Sequence, residues 1–312
     1  MLVEPYSKKM EEEWDSFVWK SASGTIFHTR RFLSYHPPER FRDNSLVFRE
    51  KNIIALFPAV DLEGVLFSHR GASYGGFVYM DNLSIKNSFK LIESLIDYAK
   101  KHGFRRIEMT LPPLIYLERP NNYLDFVMMK KGFKYRKREL TAYIPITDDP
   151  FSLFKQEART ATRKAMKEGL TVEFSDDFAS FYEILKKNLR MRHNVKPTHT
   201  LDELLKLKSL FPDRIWLNAV YLKDRMIAGT VIFETNQRVA LAFYISHDDN
   251  FQKYRPVNFL FYDTLKKCRE KGFQYLDLGT FTLNMEPNMG LGRFKESLGA
   301  RGLFRDTLYI DL

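Results

Sequence analysis

Cysteine is almost missing from this sequence. The 312 residues contain one, Cys268, which excludes an internal disulfide framework and any paired-cysteine metal site. No apolar run approaches the roughly 20 residues that a membrane-spanning helix needs. The opening MLVEPYSKKMEEEW has no signal-peptide core, so a cytoplasmic protein is expected. Also missing are GxxxxGKS/T, GxSxG, HExxH and a Rossmann glycine pattern after a strand, which leaves hydrolase and kinase readings without support. His193 and His199 lie in RHNVKPTHT with neither a carboxylate nor a third ligand at hand, so no metal is expected.

Charge, by contrast, is abundant. Lys and Arg number 49 against 39 Asp and Glu, giving a net charge of +10 and a pI near 9.4. The balance points to an anionic partner: nucleic acid, nucleotide, phosphate-bearing substrate or anionic lipid. With 44% apolar and 28% charged residues the composition is that of a soluble globular protein, long enough for two domains.

The chain repeats itself. YAKKHGFRRIEMT (98–110) and KCREKGFQYLDLG (267–279) each read as a helix end, a glycine stop, a phenylalanine and a strand. At one offset Gly103 matches Gly272, Phe104 matches Phe273, Ile107 matches Leu276 and Glu108 matches Asp277. TAYIPI (141–146) matches TLYIDL (307–312), aligning Tyr143 with Tyr309, and KNIIALF (51–57) matches DRMIAGT (224–230). Each unit reads as adjacent strands, a further strand, an amphipathic helix, a buried strand, a short helix and a last strand. Phe89, Ile92, Leu95, Ile96 and Ala99 form the first helix stripe; Phe261, Leu265 and Cys268 form the second. Asp149 before Pro150 is an N-cap with proline at the first helical position, so the expected division is 1–147 and 148–312. The expected class is α/β: two similar domains of mixed, largely antiparallel sheet covered by helices.

The helix opened by Pro150 carries Lys155, Arg159, Arg163 and Lys167 at intervals of four, broadened by Lys164. Such spacing aligns the charges into a cationic ridge, suited to phosphate or simply to solvent. Arg190, Arg192 and Lys196 extend the basic surface. ASYGGF (72–77) sets Tyr74 before paired glycines, either a tight turn or a place where backbone meets a ligand. Near the end, NMGLGRFKESLGARG (288–302) reads as a short helix between glycines, anchored by Phe294 and Leu298 with Lys295 at the edge of their face.

The duplicated α/β unit, the ridge ARTATRKAMKEGL (158–170), YGGF and the terminal GLGRFKESLGA, in this order, resemble the FemAB-like branch of the GNAT acyltransferase superfamily over nearly the whole chain. TIFHTRRF (25–32) looks like the family's early segment, with Phe32 where a tryptophan is usual. The resemblance implies tandem GNAT-like domains that move an acyl or aminoacyl group onto an amine. Fem enzymes take aminoacyl-tRNA and extend the peptide of a peptidoglycan precursor, which implies a phosphate-bearing, small-molecule or lipid-linked acceptor of the cell envelope. By the same resemblance Lys295 is the expected catalytic cation, with Phe294 beside it, and Arg159 or Arg163 binds substrate phosphate. Tyr74, Arg192 and Tyr244 are further candidates for contact with substrate, and His28, Tyr244 and His247 for a general base. Two features depart from the family. The stretch QKYRPVNFLF (252–261) has no glycine where acyl-CoA users cradle pyrophosphate, and the coiled-coil insertion associated with tRNA use is absent. The donor is therefore open between acetyl-CoA or another acyl-CoA and aminoacyl-tRNA, with tRNA and a membrane carrying the acceptor as further partners. The rival class is a non-catalytic nucleotide- or RNA-binding protein on the same tandem scaffold.

Overall fold

The computed structural model describes every residue except Asn194, together with the side chains of all residues other than Arg192, His193 and Asn194. The chain forms two compact units: Met1–Leu140 with Leu303–Leu312, and Thr141–Gly302. The sequence placed a single cut at 147; the difference has a definite cause in strand pairing. TAYIPI, the last strand of the first repeat, runs beside the central strand of the second, with Tyr143 opposite Asp277. TLYIDL, the last strand of the second repeat, runs beside the central strand of the first, with Tyr309 opposite Glu108. The repeats have thus exchanged their final strands, each landing in the same register against the matching acid.

In the unit built on the first repeat, Leu2–Pro5, Leu46–Arg49, Ile53–Phe57 and Val78–Tyr79 form one antiparallel sheet. A second sheet sets Arg301–Asp311 beside Arg106–Thr110, then Val65–Ser68, Val60–Leu62 and Arg42–Asp43. The parallel pair within it is in register along the whole of Val65–Ser68, from Val65 opposite Arg106 to Ser68 opposite Met109. Ile85–Lys101 lays Leu91, Ile92, Leu95 and Ala99 into the core, as its stripe requires. Its Ser84 cap accepts from the Asn87 amide at 3.2 Å.

The second unit has the strand order Leu170–Ser175, Ile215–Leu222, Arg225–Glu234, Val239–His247, Tyr275–Thr280 and the end of Lys134–Pro145. Arg225–Glu234 is buried along all but its first residue, and its near-continuous apolar sequence suits a strand covered on both faces. Gln156–Lys167 and Pro256–Glu270 pack on one face, and Phe178–His193 and Leu201–Leu210 on the other. Gly272, at φ +81°, ends its helix as Gly103 does at φ +74°. The Phe273 amide then bonds to Cys268 and the Phe104 amide to Ala99, both at 3.0 Å, the wide closing bond of a Schellman motif in both repeats. Cys268 is core.

Two local expectations change. Pro150 opens only a single tight turn, Pro150–Ser152, and the ridge helix proper is Gln156–Lys167. Lys155 sits before it because its amide is drawn to the Ser297 carbonyl at 2.8 Å. The helix near the end is Met289–Ser297, longer than its glycines suggest. Gly299 ends it at φ +87°, where an added methyl would meet the Leu153 carbonyl oxygen at 2.8 Å. Left-handed backbone and a rigid neighbour act together, so Gly299→Ala is expected to cost roughly 2–4 kcal/mol in urea unfolding. A loss under 1 kcal/mol would show that the turn relaxes.

Candidate functional site

The parallel pair Val239–His247 and Tyr275–Thr280 behaves unlike its counterpart in the other unit. Pairing runs through Val239–Tyr275, Ala240–Leu276 and Leu241–Asp277 and then stops. Val239–His247 continues instead along Arg225–Glu234 as far as His247 opposite Ala228. A bulge sits at that point, because Val231 faces Tyr244 while Ile232 faces Ala242, leaving Phe243 as the extra residue. The bulge bends the strand away from Tyr275–Thr280. Beyond 241 and 277 the two strands therefore no longer exchange hydrogen bonds across the gap, and the carboxyl ends of a parallel pair are where open sheets accept ligands.

Lys295 occupies this strand end. It is 4% exposed, and its ammonium donates to the carbonyls of Leu278 and Gly279 at 2.8 Å and of Thr280 at 3.0 Å. Those are the three residues that follow the last paired position. The helix carrying it is fixed by buried Leu298 and by the Phe294 ring, 6.4 Å from Phe261. Asp277, wholly buried, accepts from the Thr141 hydroxyl at 2.7 Å and the Gly279 amide at 2.8 Å. Burial pulls the Lys295 ammonium down to about 8, while the Asp277 charge pulls it up. All three ammonium hydrogens are engaged by backbone, so what Lys295 brings to this strand end is charge rather than a free donor hydrogen.

The ridge lies in the same unit and touches the lysine helix. Besides the Lys155 amide on Ser297, the Lys155 ammonium is 3.9 Å from the Glu296 carboxylate. Arg159 turns its Nε back to the Phe154 carbonyl at 2.8 Å. Arg163 is exposed, its guanidinium 5.2 Å from the centre of the Phe151 ring, which itself lies 4.4 Å from Tyr262. Among the described residues Arg163, Lys164 and Lys167 have no ion pair. Phe294 is half-buried and faces the core.

The other candidates lie elsewhere. Tyr244 is buried with its hydroxyl 2.8 Å from His199 Nδ1 and 3.0 Å from the His199 amide, and burial pushes its phenol up to about 12. Tyr74 belongs to the first unit, 2% exposed, with its hydroxyl 3.4 Å from that of Tyr116 and the Arg305 guanidinium 5.0 Å from its ring. His28 is buried there too. Its Nδ1 accepts the Thr25 amide at 3.0 Å, its Nε2 faces the Gly75 carbonyl at 3.2 Å, and burial lowers it to about 4. His247 Nε2 is 3.3 Å from Asp249. The Arg192 side chain lies outside the described residues. Sequence reading missed Asp277 and Thr141 as members of the site, although an acid in the apolar run YLDLG is the signal that a buried partner is needed. Among the described residues no three His, Cys, Asp or Glu side chains are placed to hold a metal, and no helix is long and apolar enough to cross a membrane.

Residues 152–296 match a family described as an acetyltransferase (GNAT) domain. Among solved structures, FemX superposes with a TM-score of 0.76 at 15% identity, covering 100% of this chain and 98% of its own. The C-terminal domain of a putative lysylphosphatidylglycerol synthetase from Agrobacterium fabrum gives 0.63 at 12% identity, covering 96% and 91%. A tandem GNAT protein from the clavulanic acid biosynthesis pathway gives 0.59 at 11%, covering 99% and 98%. No curated protein matches the sequence.

Proposed function

We propose that this chain, which shares the fold of FemX and of a tandem GNAT protein and matches an acetyltransferase (GNAT) domain at residues 152–296, transfers an acyl or aminoacyl group to an amine of a phosphate-bearing cell-envelope precursor. The observation that carries this reading is the opening of the parallel pair after Leu241 and Asp277, with buried Lys295 at its edge, in the second unit alone. The donor's carbonyl carbon lies in that opening. The acceptor nitrogen attacks it, the carbon–sulfur bond of a thioester or the carbon–oxygen bond of a tRNA ester breaks, and the leaving group takes the proton that the amine gives up. Lys295 opposes the negative charge that builds on the carbonyl oxygen by its own charge, delivered through the strand end it holds. Orientation supplies much of the rest, so the engaged state of His28, Tyr244 and His247 is no obstacle. Arg163, with its whole fork uncommitted, takes the phosphate, and Arg159 lends its remaining nitrogens. A relative in fold named for lysylphosphatidylglycerol supports a phosphate-bearing acceptor.

The test is calorimetric titration with acetyl-CoA of the wild type and of Arg163→Ala. Micromolar binding would assign an acyl-CoA donor. No heat at millimolar ligand would exclude it, as the Pro256 start without a glycine loop favours, and an aminoacyl-tRNA transfer assay would then decide. A chain inert with both donors that binds RNA with a steep salt dependence would establish the non-catalytic reading instead, which Arg163, Lys164 and Lys167, without ion pairs among the described residues, support.

A further inference from the structure

Between the strand end and the lysine helix the chain makes a small hairpin, Thr282–Leu283 against Glu286–Pro287. Its two turn residues, Asn284 and Met285, both have positive φ, at 53° and 67°. That is the tight turn matching strand twist. The base is closed by the Asn288 amide on the Phe281 carbonyl at 2.8 Å, and the Asn288 side chain caps the following helix at the Leu291 amide. A stretch held this firmly nevertheless exposes its apolar side chains: Leu283 74%, Met285 57%, Met289 76% and Leu291 39%. Four such residues within nine, none turned inward, are not scattered surface hydrophobics.

We propose that this hairpin and the first turn of the lysine helix insert into an anionic lipid bilayer. Three observations favour a bilayer over other occupants. The side chains are flexible aliphatics and thioethers standing out from a narrow tip, a form that suits disordered acyl chains. Arg293 follows Met289 by four residues, so the two lie on one side of the helix; it is exposed and without an ion pair among the described residues. An arginine one turn behind an inserting methionine is placed for a lipid phosphate. Finally, the chain carries +10, and the ridge whose first lysine meets this helix at Ser297 adds Arg163, Lys164 and Lys167. Glu286, opposite Leu283, is the single acid in the hairpin and remains at headgroup depth. Docked this way, the strand end held by Lys295 would draw an acceptor amine from the membrane surface. Insertion itself is independent of the transfer reading, because it is measured without either substrate.

The experiment is sedimentation with vesicles of phosphatidylglycerol and phosphatidylcholine, and of phosphatidylcholine alone. Wild type is expected to sediment with the anionic vesicles, and Leu283→Asp/Met289→Asp to lose at least tenfold in partitioning with an unchanged melting curve. In parallel, Met285→Trp is expected to gain fluorescence that brominated acyl chains quench, a readout that holds even where the double substitution fails to fold. Wild type left in the supernatant would overturn the proposal. So would a double variant that sediments like wild type, since the ridge alone would then bind. A vesicle-free dimer that the double variant dissociates would overturn it too, by showing that a second copy covers the hairpin.

Discussion

Lys295→Met is expected to lower the unfolding free energy at pH 7 by about 3 kcal/mol and to reduce transfer at least a hundredfold. Methionine fills nearly the same space, so the loss is polar rather than steric. The carbonyls of Leu278, Gly279 and Thr280 lose the ammonium that satisfies them, at roughly 1–3 kcal/mol for the buried Leu278 carbonyl and less for the other two, which water reaches in part. Asp277 loses the attraction of the buried ammonium, which acts on it through space. Against these stands the relief of no longer desolvating an ammonium. That burial cost is the larger of the two effects that set the ammonium at about 8, so the net loss is held to about 3 kcal/mol. Urea unfolding at pH 7 measures the balance, and a variant as stable as wild type would show that the strand end holds itself.

The same residue gives the protein a signed response to pH. Because the folded value, about 8, lies below the unfolded 10.5, the unfolded state binds more protons between them and wild-type stability rises with pH across that window. Below about 8 both states carry the proton and the slope from Lys295 vanishes. Tyrosines and other lysines titrate in this range as well, so the quantity to read is wild type minus Lys295→Met. Their stability difference should widen in favour of wild type between pH 7.5 and 10. Transfer should move the other way, since the cation disappears above about 8 even as the acceptor amine loses its proton.

How much of this could be read from residues alone follows from what each pattern encodes. Helix stops are local: GF after an amphipathic stripe sets the same closing bond at Phe104 and Phe273, and both were legible. The exchange of final strands was not, because TAYIPI and TLYIDL present the same alternation and the same tyrosine to either acid. Sequence similarity within the chain is the very reason the pairing was ambiguous. The opening between Val239–His247 and Tyr275–Thr280 was hidden for a different cause. VALAFYIS reads as an unbroken strand, and nothing in its alternation marks Phe243 as the extra residue opposite Arg225–Glu234. Lys295 at the shoulder of a short helix looked like a side chain free to reach solvent or substrate. Its burial depends on three carbonyls that only the turn at Gly279, φ +72°, brings to one point. The ridge was legible in composition, but its first lysine was lost from the helix to a neighbour 142 residues away in sequence, Ser297.

The duplicated acids supply the most discriminating comparison. Glu108 and Asp277 hold the same position in the two repeats and face the same tyrosine register, yet Asp277→Asn is expected to cost about 3 kcal/mol and Glu108→Gln about 1 kcal/mol or less. Glu108 is buried but pairs with Arg136, whose side chain is 53% exposed, so water and salt screen the partner it would abandon. Asp277 acts through space on the Lys295 ammonium, which has no such recourse, held at 4% exposure among carbonyls. Asparagine keeps an oxygen for the Thr141 hydroxyl and the Gly279 amide, so what is removed is chiefly the charge, and the Lys295 ammonium must fall further below 8 or move. The two groups should therefore be strongly coupled. In a double-mutant cycle, Lys295→Met with Asp277→Asn should be less destabilised than the sum of the single changes by about 1–3 kcal/mol. A Glu108→Gln substitution added to Lys295→Met should instead be additive, because its acid belongs to the other unit. If the first cycle also proves additive, Asp277 and Lys295 act on the strand end separately, and the charge that the site offers its substrate is the full charge of an unshared lysine.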